Sequence, residues 1–221
     1  MKIRTLTFFF PYDESNIEYY FDLFCHFKKV SQKILLQNEI EIQTFRIATK
    51  IFQKTTANKV LKITDLLAQI CKDQALDFCS VGMAVKNHHI EQIPFILKKS
   101  ASFFCSAFLG DSQNGFSDTI ENIRKVIIKN SQIQPQGLAN FRFAAIANPV
   151  LTPFFPVASA EKDVGFAIGF ENSEILYRAF QKRNSLKSFQ TKLAVILQTE
   201  YSKIEEIMLR INKDSDVHYF G

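Results

Sequence analysis

The sequence is poor in the residues that form tight turns and in several patterns that mark whole protein classes. Among its 221 residues only seven are glycine and six are proline, and there is no tryptophan. Few glycines leave few loops of the kind that cradle phosphate groups, so we predict no bound cofactor. The four cysteines lie far apart without C-x-x-C spacing, which argues against a metal site and against a disulfide scaffold.

Long hydrophobic runs and clusters of one charge are also missing. The N-terminal run Phe8–Phe10 stops at Pro11, which is too short for a signal peptide, and the longest apolar region, Phe143–Ala160, contains an asparagine and three prolines. The net charge is +5, but basic residues occur in pairs rather than gathered on one face. We therefore predict a cytoplasmic protein with no membrane and no nucleic-acid partner.

Large apolar side chains are abundant instead. Hydrophobic residues make up 47% of the chain and 23 residues are phenylalanine, which is enough for a sizeable core and excludes a disordered chain. Apolar runs with strand character alternate with amphipathic helical patterns, and the runs lie at 2–10, 39–47, 78–85, 102–109, 141–147 and 164–170. This alternation predicts a single α/β domain over residues 1–221, with a mostly parallel sheet covered by helices on both faces.

Five short segments occur in the order found in a known protein family. They are Ile3–Thr7, Gln43–Arg46, Cys105-Ser106, Asn148-Pro149 with Thr152–Pro156, and Phe166–Gly169. With these segments the chain resembles the domain-of-unknown-function family numbered seven hundred and eleven, which is related in fold to the barrel of pyruvate formate-lyase. The resemblance covers essentially all of this chain but only about the first half of a typical family member. It therefore implies half of a pyruvate formate-lyase-like α/β barrel.

Half a barrel implies open strand edges and an apolar face that needs a cover. We expect a chain truncated relative to its family, and a homo-oligomer or a partner chain that completes it. Relatives tend to carry a histidine where this chain has Val157–Ala160. One hypothesis is accordingly a protein of unknown function that binds a small anion or is a degenerate enzyme. The other is a non-catalytic assembly module that pairs through its open barrel edges with a second copy or a partner chain.

Two arginines stand inside predicted core strands. Arg4 and Arg46 keep their charge wherever they lie, so burial of either guanidinium requires an acidic partner or an anionic ligand. We predict that together they hold a small anion, and that Asn148, at the end of a later strand, helps to bind it. The structural alternative is ion pairing with Glu41, Asp77 or another carboxylate at a strand end.

Cys105 is a candidate nucleophile or radical-bearing thiol, an idea suggested by the related barrel. A reactive thiol needs a neighbouring cation or a helix N-terminus to lower its pKa, and the sequence near Cys105 guarantees neither. A buried core cysteine is the alternative that we favour. Whether the protein is an enzyme stays open at this point.

Overall fold

The computed structural model describes residues 2–11, 16–53, 55–116, 118–149, 152–160, 163–181 and 185–221. Eight strands are present in this part of the chain: β1 Lys2–Phe9, β2 Glu41–Ala48, β3 Phe78–Ala84, β4 Phe103–Asp111, β5 Gly115–Phe116, β6 Phe143–Ala147, β7 Gly165–Glu171 and β8 His218–Tyr219. The α-helices are α1 Ile17–Gln37, α2 Ala57–Asp73, α3 Asn87–Ile90, α4 Ile93–Lys99, α5 Ile120–Ser131, α6 Ser173–Gln181 and α7 Leu186–Ser215. Two 3-10 helices cover Ile51–Gln53 and Pro135–Arg142.

The eight strands form one sheet in the order β5-β4-β3-β2-β1-β7-β8, with β6 beside β4. Strands β1, β2, β3, β4 and β6 run parallel to their neighbours in chain order. The exceptions are β7, which is antiparallel to β1, and β5, which forms a hairpin with the end of β4. The predicted α/β fold with a mostly parallel sheet and alternating helices is therefore confirmed.

Helices cover one face of this sheet. The apolar positions of α1 recur at helical spacing and place Phe24 and Phe27 against Phe8 of β1, with 5.4 Å between ring centroids in each pair. The buried residues of α2, α4, α5 and α7 join the same apolar cluster. None of the described helices has both the length and the apolar character needed to cross a membrane.

The opposite face is covered by an extended segment instead of by helices, so the expectation of helices on both faces is wrong. Residues 152–160 lie across this face, where Ala158 and Ala160 pack against Phe9, Ala48 and Ala167. Strands that follow each other in spatial order, each joined by a right-handed crossover, place all their connecting helices on the same side. The local hydrophobic pattern does not encode that spatial order.

The connection between β6 and β7 accounts both for the extended segment on the face opposite the helices and for the antiparallel direction of β7. Strand β6 lies at one edge of the sheet and β7 lies beyond β1, five strand spacings away, or about 24 Å at about 4.8 Å per spacing. The crossing residues are anchored on the way, because the Ser80 hydroxyl donates to the carbonyl of Ala158 and the Ala160 amide donates to the carbonyl of Thr49. The connection leaves β6 and enters β7 at the same end of the sheet, so β7 runs antiparallel to β1.

Candidate functional site

Arg4 and Arg46 lie on neighbouring parallel strands and line the same cleft. The cleft has a volume of about 410 Å³ and lies between the sheet and the crossing segment. Besides the two arginines, its lining residues are Thr5, Phe78, Phe104, Pro153, Phe154, Phe155, Ile168, Gly169 and Phe170. The structure therefore brings the two arginines to one cleft, and their role there stays a prediction.

A β-bulge brings Arg4 to this cleft. The pairing of β1 with β7 shifts between Ile3 and Thr5, so that Arg4 is the extra residue. Ile3 and Leu6 both point into the helix-side core, and the two residues between them, Arg4 and Thr5, both line the cleft. Arg4 is exposed to solvent and Arg46 is half-buried, so neither guanidinium is fully buried although β1 and β2 both supply residues to the core.

The guanidinium of Arg46 is held in place by its neighbours. Its central carbon lies 4.9 Å from the ring centroid of Phe78 and 5.1 Å from that of Phe155, within cation–π range. Its Nε donates a 3.0 Å hydrogen bond to the hydroxyl of Thr44, and that hydroxyl donates to the backbone carbonyl of Arg4. Among the described residues the Nη1 and Nη2 groups have no hydrogen-bond partner. These two groups are therefore available as a bidentate hydrogen-bond donor.

Within the described chain, no carboxylate neutralises either arginine by a direct ion pair. Glu41 instead pairs with Lys2 at 2.9 Å, and Asp77 accepts a 2.9 Å hydrogen bond from the amide of Phe45. The two carboxylates considered as structural partners are therefore engaged elsewhere.

The electrostatics of the cleft favour an anion. Burial, followed by the like charge of Arg4, lowers the pKa of Arg46, and the opposite charge of Asp77 opposes this shift. The pKa of Glu171 is lowered mainly by hydrogen bonds from Ser173, with a further contribution from Arg4. Two cations that disfavour each other would both be relieved by one negative charge placed between them.

Aromatic rings form the wall beside the arginines. Phe104 packs edge-on against Phe78 and Phe155, with centroid separations of 5.1 and 5.3 Å. Phe154 stands at the rim and is 69% exposed. Phe154 and Phe155 come from the crossing segment, more than a hundred residues after Arg46, and reach the cleft only because that segment spans the sheet.

Cys105 lies on the other face of the sheet. Side chains alternate along β4, and Phe104 lines the cleft while Cys105 is fully buried in the helix-side cluster. Burial raises the pKa of this thiol, although the charge of Arg142 opposes the shift. The placement matches the favoured interpretation of a core cysteine and leaves the thiol without access to the arginines.

Asn148 is also separate from the cleft. It follows β6 with a left-handed backbone conformation, φ 47°. Its side-chain oxygen accepts a 2.6 Å hydrogen bond from the amide of Ser112, and its own amide donates to the carbonyl of Gly110. Asn148 thus supports the hairpin between β4 and β5, and the structure does not bring it to Arg4 and Arg46.

Sequence reasoning missed the buried arginine. Arg142 is 8% exposed and its Nη1 donates to the backbone carbonyls of Leu97, Ser100 and Phe103. It is the last residue of the 3-10 helix Pro135–Arg142, although the apolar run at 141–147 places it inside a predicted strand. The available signal was therefore a charged residue within an otherwise apolar run.

Acid–base and metal-binding groups are not gathered at this cleft. Among its lining residues in the described part of the chain there is no carboxylate, imidazole or thiol. No group of three or more histidine, cysteine, aspartate or glutamate residues suited to a metal ion occurs among the described residues.

Comparison with known proteins gives one family. The family model described as Uncharacterised ACR (DUF711) matches residues 1–220. No curated protein matches the sequence.

Proposed function

This chain belongs to the DUF711 family, and on that premise we propose that it binds a small anion in the cleft of Arg4 and Arg46. The family description names no reaction, so the support comes from the cleft itself. The observation that carries the proposal is the pair of guanidinium groups that line one cleft with no ion-paired carboxylate among the described residues.

The two arginines have different roles in this proposal. The guanidinium of Arg46 lies within cation–π range of two rings and its Nε is occupied, so its Nη edge is oriented before an anion arrives. A planar guanidinium fixed in this way binds a carboxylate or phosphate through two parallel hydrogen bonds. Arg4 is exposed and adds charge from the side of β1. Preorganisation of Arg46 reduces the entropy lost on binding.

We propose binding rather than catalysis for this cleft. The lining residues supply positive charge and apolar contact, but no side chain suited to carry a proton or to act as a nucleophile, apart from the hydroxyl of Thr5. This composition agrees with the hypothesis of a degenerate relative of an enzyme. A group that orients and neutralises an anion needs nothing further.

Calorimetric titration with sodium acetate and with inorganic phosphate, at fixed ionic strength, tests the proposal. Arg46→Gln is expected to weaken binding by about tenfold or more, and Arg4→Gln by a smaller factor, because only Arg46 is preoriented. Arg124→Gln is the matched control, since Arg124 is an exposed arginine that pairs with Glu121 on α5. Absence of anion binding in the wild type, or equal effects of all three substitutions, contradicts the proposal.

A second candidate function is self-assembly through the edge strand β6. Its sequence Phe-Ala-Ala-Ile-Ala has no charged residue and no proline, and in the described part of the chain it pairs only with β4. Natural edge strands usually carry a charged residue or a proline that prevents pairing with a strand of another chain. An edge strand that has neither is suited to such pairing. Phe141, two residues before β6, is 78% exposed. We propose a second copy of this chain as the occupant.

Light scattering after size-exclusion chromatography, over a range of protein concentrations, tests the second candidate. Self-assembly predicts a dimer that Ala145→Lys converts to monomer, because Ala145 is an exposed residue of β6 and a charge there opposes edge pairing. A monomer at every concentration contradicts it. Anion binding can be measured independently of this result.

A further inference from the structure

Within the cleft of Arg4 and Arg46, apolar lining residues outnumber polar ones. Five of the eleven lining residues are phenylalanine, and Pro153 and Ile168 add further hydrocarbon. The polar side chains are those of the two arginines and Thr5. Ligand pockets commonly combine apolar walls with a few polar groups that fix the orientation of the ligand. An inorganic anion would contact the polar groups and leave the walls unused.

The size of the cleft leads to the same conclusion. Its volume of about 410 Å³ lies within the range for organic ligands, roughly 300–1,000 Å³. A water molecule occupies about 30 Å³ in the liquid, and a bare carboxylate or phosphate is only a few times larger. Gly169 helps to keep the floor open, since a Cβ there would lie 2.6 Å from the hydroxyl of Thr5. Space remains beside the arginines for a second, uncharged part of the ligand.

The arrangement of charge indicates how many negative charges that ligand carries. Arg4 and Arg46 are the cations that line the cleft, and the carboxylate of Glu171 lies within the electrostatic reach of Arg4. A ligand with several negative charges would therefore meet repulsion from Glu171 as well as attraction from the arginines. A single carboxylate satisfies the free Nη edge of Arg46 and meets the least repulsion from Glu171, because that repulsion grows with the charge of the ligand.

We propose that the cleft binds a monocarboxylate with an apolar tail about the size of a phenyl ring, an inference that rests on the proposed anion-binding function. The carboxylate lies on the Nη groups of Arg46, with Arg4 on the other side. The tail lies along the ring wall of Phe104 and Phe155 and reaches Phe154 at the rim. Burial of the tail removes exposed ring surface from water and supplies the hydrophobic part of the affinity.

Calorimetric titration with three matched probes tests this proposal. The probes are 3-phenylpropionate, acetate, which lacks the tail, and 3-phenylpropionamide, which lacks the charge. We expect 3-phenylpropionate to bind at least about tenfold more tightly than either of the other two, because it alone satisfies both parts of the cleft. Inorganic phosphate is expected to bind more weakly than 3-phenylpropionate.

Two variants assign the parts of the ligand to the parts of the cleft. Phe154→Ala removes an exposed ring, so the fold is expected to survive, and it should weaken 3-phenylpropionate by about threefold or more while leaving acetate unchanged. Arg46→Gln should weaken both. Phe95→Ala is the matched control, because Phe95 is 55% exposed on α4 and lies outside this cleft. Thermal unfolding of each variant confirms that it is folded.

The outcomes separate this inference from the function on which it rests. If acetate and phosphate bind through Arg46 as tightly as 3-phenylpropionate does, the anion site stands and the apolar-tail ligand is refuted. If 3-phenylpropionate and its amide bind equally and Arg46→Gln has no effect, both are refuted. Absence of binding by all of the probes also refutes both.

Discussion

Replacing Arg142 by methionine tests a buried charge that joins three parts of the chain. The Nη1 group donates hydrogen bonds of 3.0 Å to Leu97, 2.8 Å to Ser100 and 3.3 Å to Phe103, all at backbone carbonyls. These carbonyls lie at the end of α4 and the start of β4. Burial lowers the pKa of Arg142, although Cys105 opposes the shift. Methionine preserves much of the apolar stem and removes the donors.

The expected loss follows from these distances. A hydrogen bond from a charged group contributes roughly 1.5–3 kcal/mol, and the two shortest bonds are well formed, so their loss costs about 3–6 kcal/mol. Relief of the desolvation penalty for a guanidinium without an acidic partner offsets part of this cost. We expect Arg142→Met to lower the free energy of unfolding by about 2–4 kcal/mol.

Equilibrium urea unfolding, followed by far-UV circular dichroism, measures this change. Arg124→Met is the matched control, because it removes an arginine whose ion pair with Glu121 is fully exposed. The control should leave the midpoint unchanged, since exposed ion pairs contribute little. If Arg142→Met unfolds at the same urea concentration as the control, the buried hydrogen bonds do not stabilise the fold as argued.

Three further predictions concern the core. Burial lowers the pKa of His89, which is 2% exposed, below its unfolded value of about 6.5. As the pH falls from 7 to 5, the unfolded chain therefore binds more protons than the folded chain, and the free energy of unfolding should fall. This fall should be less steep in His89→Gln than in His26→Gln. Equal slopes of the free energy of urea unfolding against pH in the two variants would contradict this. Ellman's reagent should modify only Cys25 in the native protein, because the other three cysteines are buried. Modification of two or more thiols in the native protein would contradict the burial of these cysteines in the core. Gly82→Ala should lower the free energy of unfolding by about 1–3 kcal/mol in thermal unfolding, more than Gly115→Ala does. Both glycines have a positive φ, but of the two only a Cβ at Gly82 would meet a backbone oxygen, at 2.7 Å. An equal loss in the two variants would show that this close contact is unimportant.

The strands and their mostly parallel direction could be predicted from the sequence, because β1, β2 and β3 are apolar runs that are each followed by a helix. The reversal of β7 was not predicted, although residues 148–164 contain three prolines and no helical pattern. The half-barrel implied by the family resemblance stays a prediction. The succession of parallel strands β1 to β4 in spatial order, with helices on one face, is consistent with it.

The candidate site was only partly accessible to the same reasoning. Convergence of Arg4 and Arg46 followed from two adjacent strands, but the bulge that turns Arg4 toward the cleft depends on pairing with β7. Contact between Arg46 and Phe155 joins residues more than a hundred positions apart, and no local pattern encodes it. Asn148 was selected because it ends a strand, yet that strand is β6, separated from β2 by β4 and β3.

The arginine side-chain Nε–Hε signals in the NMR spectrum test the central claim most directly. During a titration with sodium acetate at constant ionic strength, the signals of Arg4 and Arg46 should both shift and should give the same dissociation constant. Their assignments come from Arg4→Gln and Arg46→Gln, and the signal of Arg124 should not move. A shift of only one cleft arginine, or equal shifts of all exposed arginines, would contradict a shared anion site.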